Sequence, residues 1–316
     1  MGFSPRALLL RVATDKSPPK KDKKDKYWDM FKDGFPNGGF WGPLWDDGKK
    51  FEYVPVPEIK TIHNGYRAIE YMQGEPEEKT YGNTVGRRLK KLLIETINDI
   101  PSRPRKDLSN VVVHNDPDFA TLTYGDVPGK GRKSADLKHG DLLVFCTTLQ
   151  DYKNKSQYHR VFIIGYFTVK ASYDFEDEEI STGKRKKIIV KYKDKNAHFS
   201  SAYARVWGGP QWTREKLLEC YARKEAPLVL VVGIREQNGV RVSGLFRTAV
   251  KLTEEFKGKS YYIPTKTVRD LGLNESPGTQ GRLDYHIGSK WVNYDRKNPR
   301  YIEKLRKILA KGQGFC

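Results

Sequence analysis

The densest run of chemically capable side chains lies between residues 114 and 126: His114, Asp116, Asp118, Tyr124 and Asp126. Three chemistries use such a set. His114, Asp116 and Asp126 could hold a divalent metal that activates water. His114 and Asp118 could act as a base and the group that orients it. Asp116, Asp118 or Asp126 could read the edge of a flipped base, since aspartate accepts from an exocyclic amino group. Turn chemistry competes with all three, because Asp-Pro and Gly-Asp side chains bond nearby backbone N–H groups. A turn needs one such residue, and here a histidine stands with three carboxylates. No residue pattern names a cofactor.

Cationic and aromatic residues surround this run. Gly129-Lys-Gly-Arg-Lys133 lacks the Gly-x-x-x-x-Gly-Lys-Ser/Thr phosphate cradle, yet Lys130, Arg132 and Lys133 could hold a phosphate beside the acidic group. Arg87, Arg88 and Lys90 lie on a predicted helix over Val85–Ile97, around an apolar face of Leu89, Leu92, Leu93 and Ile97. Trp41 and Trp45 stand in a glycine-rich stretch, 27–48, where aromatics either stack on bases or plug a core edge. His198, in Asn196-Ala-His198-Phe199, is a further candidate; a satisfied core histidine is the commoner outcome for such a residue. Arg235, Ser243 and Arg247 flank a strand pair over 228–246, and Arg241 to Arg247 could carry a basic sheet edge.

Charge supplies the partner class. The 316 residues include 58 Lys and Arg against 39 Asp and Glu, a formal net charge of +19. An excess of this size points to a phosphate-rich partner. Nucleic acid is expected, DNA ahead of RNA. No run approaches the ~18 consecutive apolar residues of a membrane span, so no membrane partner is expected. Arg6 and Arg11 flank the short run Ala7–Leu10, and no small-residue cleavage site follows, which suits a first strand better than a leader. Three cysteines, none at metal-ligand spacing, suit a reducing, cytoplasmic setting. Cys146 sits in an apolar strand and is expected to be a core residue. Serine-hydrolase elbow, zincin, zinc-deaminase and Rossmann signatures are all missing.

The elements that must position these residues alternate irregularly. Strands are predicted at 6–13, 51–57, 111–113, 142–147, 161–169, 228–234 and 242–246. A turn is expected at Asn238-Gly239. Residues 174–195 pass from acidic to basic and are expected to form a hairpin with Thr182-Gly183 at its tip. Helices are expected at 212–223 and 301–311. The fold expected is α+β, with a bent mixed sheet or a PUA-like β-barrel and a few flanking helices. It would form one large domain over 1–316, with a lysine-rich loop at 16–26 and a possible subdivision into 1–172 and 173–316.

Several short segments follow one another in a telling order. They are His114-x-Asp-Pro-Asp-Phe119, Thr123-Tyr-Gly-Asp126, Gly140-Asp-Leu-Leu-Val-Phe145, Ile164-Gly-Tyr-Phe167, Asn196-Ala-His198 and Val232-Gly-Ile-Arg235. In this order the chain resembles the third class of nucleotide-modification-associated domain proteins. The resemblance implies a nucleic-acid setting in a system that makes or processes modified bases. The function expected is recognition of a base, a modified one, in DNA. The alternative is an enzyme acting on a nucleotide or nucleic acid by hydrolysis or base transfer. The segment 140–169 is also loosely similar to the central strand pair of PUA-like and EVE modules, which implies a small bent barrel.

Overall fold

The computed structural model describes residues 4–12, 42–45, 50–51, 56–58, 66–67, 112–114, 117–126, 133–151, 160–199, 213–285, 289–312 and 314–316. The strands begin with β1 (Ala7–Arg11), β2 (Gly42–Trp45), β3 (Lys50–Phe51), β4 (Val56–Glu58), β5 (Tyr66–Arg67) and β6 (Val112–His114). Next come β7 (Thr123–Asp126), β8 (Leu142–Asp151) and β9 (Arg160–Asp174), then helices α1 (Thr182–Tyr192) and α2 (Arg214–Arg223). The chain continues through β10 (Val229–Ile234), β11 (Glu236–Gln237), β12 (Val240–Arg241), β13 (Gly244–Lys251), β14 (Glu254–Phe256) and β15 (Lys259–Ile263). The last elements are α3 (Thr265–Leu271), β16 (Leu283–Asp284), β17 (Ser289–Val292) and α4 (Pro299–Leu309).

Strands β8 and β9 pair antiparallel and form the spine of the main sheet. Each spine strand carries two further strands end to end along its outer edge. On β8 these are β1, from Ala7↔Leu142 to Arg11↔Cys146, and then β2, both parallel. On β9 they are β13 and then β10, both antiparallel. The short hairpin β11–β12 joins β10 to β13, and its turn uses Asn238 at φ 53° and Gly239 at φ 74°, as the sequence predicts. At the break between β10 and β13, the Ser243 hydroxyl accepts from Thr168 N at 2.8 Å. The path β17-β1-β8-β9-β10-β7 is open at both ends, so the fold is a bent mixed sheet with flanking helices. Among the described residues no barrel closes, which corrects the barrel alternative.

Alternation along the strands divides the apolar residues between two faces. Leu9, Val144 and Ile163 meet Val268, Leu271, Ile302 and Leu305 of α3 and α4. Leu8, Leu143 and Ile164 face an aromatic core with Phe119, Tyr124, Phe145 and Phe167. The Phe145 and Phe167 rings meet edge to face at 4.7 Å, a geometry worth about 0.5–1.5 kcal/mol beyond the area buried. A third cluster joins Leu230 and Val232 of β10 to Ile188 and Ile189 of α1 and Leu217 and Tyr221 of α2.

Helix α1 replaces the hairpin expected at 174–195. The Ser181 hydroxyl accepts from Lys184 N at 3.3 Å and caps its first turn. Arg185, Ile188, Ile189 and Tyr192 are buried at i, i+3, i+4 and i+7, which is helical spacing. That periodicity outweighs the Thr-Gly turn signal. A Cβ at Gly183 would meet nothing, so no close approach demands glycine there.

Asp141 is a buried hub. Its Oδ1 accepts from Arg6 N at 2.9 Å. Its Oδ2 accepts from Lys138 N and Arg296 Nη2, each at 2.9 Å, and from Arg6 Nη2 at 3.2 Å. The Arg6 guanidinium lies 4.5 Å from the Trp291 ring centre. This carboxylate locks the start of β8 to residues from both ends of the chain.

Candidate functional site

The segment 117–126 forms a tight turn leading into β7. Asp118 and Thr123 exchange backbone hydrogen bonds of 2.9 and 3.1 Å. Asp118 Oδ1 accepts from Ala120 N at 2.8 Å and Thr121 N at 3.0 Å, so this carboxylate holds the turn. Leu122 adopts φ 54° to complete it. Phe119 points inward and packs on Phe145 and Phe167.

β7 joins the sheet beside β10, with Tyr124 opposite Val231 and Asp126 opposite Val229. The pleat sends Tyr124 and Asp126 to one face and Thr123 and Gly125 to the other. Tyr124 is buried against Phe145, with ring centres 5.7 Å apart. Asp126 accepts from the Ser134 hydroxyl at 2.8 Å, and Ser172 donates to Ser134 O at 2.8 Å.

On the opposite face the Asn196-Ala-His198 segment docks on Thr123 and Gly125. Thr121 and Thr123 each donate a hydroxyl to Lys195 O at 2.8 Å. Asn196 Nδ2 donates to Thr123 Oγ1 at 3.2 Å, and Asn196 Oδ1 accepts from His198 N at 3.0 Å. A Cβ on Gly125 would stand 2.1 Å from His198 Cδ2, so only glycine lets the imidazole lie this close. Tyr221 donates to His198 O at 2.9 Å, and burial raises its phenol far above the ordinary tyrosine range, keeping it a donor. Two motifs, whose Thr123 and Asn196 stand 73 residues apart, thus form one buried junction.

Beside that junction opens a cleft of about 480 Å³. Thr121 and Leu122 form one wall, His139 and Lys170 a second, and Gly233, Ile234, Arg235 and Glu236 the rest. Lys170 reaches it through a β-bulge. Val169 pairs with Gly233 and Ala171 with Val232, which leaves Lys170 as the extra residue, exposed to solvent. Arg235 donates to the carbonyl of Ala120 and so ties the cleft to the 118–123 turn. His139 Nδ1 lies 3.3 Å from Lys170 O. Lys170 and Arg235 suit an anionic group, with the Glu236 carboxylate beside them, and among the described lining residues the His139 imidazole is the one ring, with no Phe, Tyr or Trp.

The sequence candidates distribute unevenly around this place. Asp118, Tyr124, Asp126 and His198 all lie at β7 or against it, with Asp126 and His198 on opposite faces of the strand. His114 ends β6, which pairs with β4 and β5, and its side chain lies outside the described residues. So do Asp116, Trp41, Arg87, Arg88, Lys90, Lys130, Arg132 and the side chain of Trp45, together with the lysine-rich segment 16–26. Lys133 donates to Ser289 O at 3.0 Å. Of the basic sheet edge, Arg241 donates to Cys316 O and Arg247 to Phe315 O, so both hold backbone. Cys146 is fully buried, and burial pushes its thiol up to about 12. Among the described residues no three His, Cys, Asp or Glu side chains stand close enough to hold a metal. Nor is any helix there long and apolar enough to cross a membrane. Lys170 and His139 went unnoticed in the sequence because a lone lysine at a bulge and a histidine before a turn carry no spacing signal.

The family model for nucleotide modification associated domain 3 matches residues 34–302. No curated protein and no solved structure matches the chain.

Proposed function

The chain belongs to the nucleotide modification associated domain 3 family, and from that membership we propose that it recognises a base, a modified one, in DNA. The observation that carries this reading is the cationic cleft at Lys170 and Arg235, set against the junction of the Thr-Tyr-Gly-Asp and Asn-Ala-His motifs. Clefts of a few hundred Å³ with a few convergent polar groups are where small ligands bind. A cleft with two cationic side chains and no Phe, Tyr or Trp in its described lining suits the phosphate of a nucleotide better than its base. In this reading the base itself is stacked by Trp41 or Trp45 and read by Asp116 or Asp126. Arg87, Arg88, Lys90, Lys130, Arg132 and Lys133 add backbone contacts.

The test is equilibrium binding to duplex and single-stranded oligonucleotides, with and without modified bases, across a salt series. Selectivity that survives high salt is the expected result. Lys170→Ala should lower the salt slope by about one, the signature of a lost phosphate contact. A steep slope with no preference among bases would sink base recognition. Altered nucleosides after incubation, detected by mass spectrometry, would instead favour the enzyme alternative.

A further inference from the structure

Helix α4 presents two unlike sides. Ile302, Leu305 and Leu309 are buried against the sheet. Arg300, Lys304 and Lys307 are exposed, as is Lys311 in the 3₁₀ turn Ala310–Gly312 that follows. At 3.6 residues per turn these four cations fall within about 60° of one another, on the side directly away from the buried stripe. They extend over roughly 16 Å at 1.5 Å per residue.

Helix stability does not account for the stripe. Cations in a last turn are favourable, and Arg306 and Lys307 stand there. Arg300 is in the first turn, where the helix dipole disfavours positive charge, and no acidic residue accompanies it. Two carboxylates lie near the stripe: Glu303 on the flank of the helix, and Asp270 of α3, which sits 3.4 Å from Lys304. Helix α1 is the informative contrast. Its exposed Lys184, Lys186, Lys187 and Lys191 spread over about 160°, with exposed Val190 among them. That helix also follows the acidic segment 174–179. In α4 and the turn after it four of the five exposed cations share one edge, while the fifth, Arg306, lies about 100° round the helix from Lys307.

We propose that the outward face of α4 docks on the phosphodiester backbone of duplex DNA. A duplex carries about one negative charge per 1.7 Å of axis, so a stripe of this length meets more phosphates than it has cations. The proposal rests on the nucleic-acid reading above and adds a second contact region to it.

The experiment compares two charge-matched variants of the full chain by fluorescence anisotropy on one duplex across a salt series. One is Arg300→Gln/Lys304→Gln/Lys307→Gln/Lys311→Gln. The other is Lys184→Gln/Lys186→Gln/Lys187→Gln/Lys191→Gln. Glutamine keeps helix propensity, and thermal melts by circular dichroism check the fold. The α4 variant is expected to lower the salt slope by about three and to weaken binding at least ~10-fold near 0.1 M salt. The α1 variant should lower the slope by less than about one. If the α4 variant does not fold, the double variant Arg300→Gln/Lys307→Gln carries the test, with a slope loss of about two expected. Equal losses in both helices would overturn the proposal, because total charge alone would then explain binding. An unchanged α4 variant would overturn it while leaving base recognition standing. A wild-type chain that binds no DNA overturns both.

Discussion

Asp141 stands immediately before β8 and Lys170 lies in the neighbouring β9, yet one belongs to a closed polar cluster and the other to an open one. Every described partner of Asp141 is a protein donor, and the carboxylate has no exposed surface. Lys170 is pushed out of the ladder by a bulge and faces a cleft. The first arrangement spends its hydrogen-bonding capacity on the fold. The second leaves positive charge exposed at the cleft. Density of polar residues in a sequence therefore does not distinguish structure from function; closure does.

Four measurements would break or sharpen that contrast. The largest effect belongs to the hub. Asp141→Ala strands two guanidinium groups and should cost about 3–5 kcal/mol in urea unfolding; a loss below about 1 kcal/mol would mean that the cluster is not closed. Next is the motif junction. Gly125→Ala forces a methyl into the His198 ring and should cost about 1–3 kcal/mol. Pairing it with His198→Ala should restore part of that loss, and simple additivity would deny the contact. At the open site, Lys170→Ala should leave stability within about 0.5 kcal/mol while reducing DNA binding. A large stability loss there would make the cleft structural.

The smallest effect at neutral pH concerns Cys146. Its folded pKa, about 12, stands above the ordinary value of 9.0, so the folded chain holds the proton more tightly. The associated stability is fully present below pH 9 and is lost as pH rises from 9 towards 12. Cys146→Ala should flatten that alkaline decline in pH-dependent unfolding. An unchanged decline would place its source elsewhere.

The sequence made some of this legible. Asn238-Gly239 announced its turn because left-handed backbone favours those residue types. Leu142–Thr147 and Val161–Val169 announced the spine, but not its length. β8 continues to Asp151 and β9 to Asp174 through polar residues, since ladder bonds to β2 and to β10 outweigh local preference. The helix at 182–192 was hidden behind Thr182-Gly183, although its buried residues keep helical spacing. Asn196 and Thr123 are each ordinary alone; their meeting depends on where β7 and the segment after α1 fall in three dimensions. Asp118 and Asp126 could be named, but their separate duties as turn brace and serine acceptor depend on backbone geometry. The bulge at Lys170 needs the register of two strands.

Strand β1 sits between β8 and β17, so the first of the described strands is completed by the last of them. During synthesis at about 5–20 residues per second, Ala7–Arg11 waits for β8 and then waits longer for residues 289–292. Leu8 and Leu9, both fully buried in the finished sheet, stay without their final cover for on the order of tens of seconds. The emerging chain thus carries a sticky segment at Ala7–Arg11, and a holdase bound there would delay completion of the sheet without altering the native state.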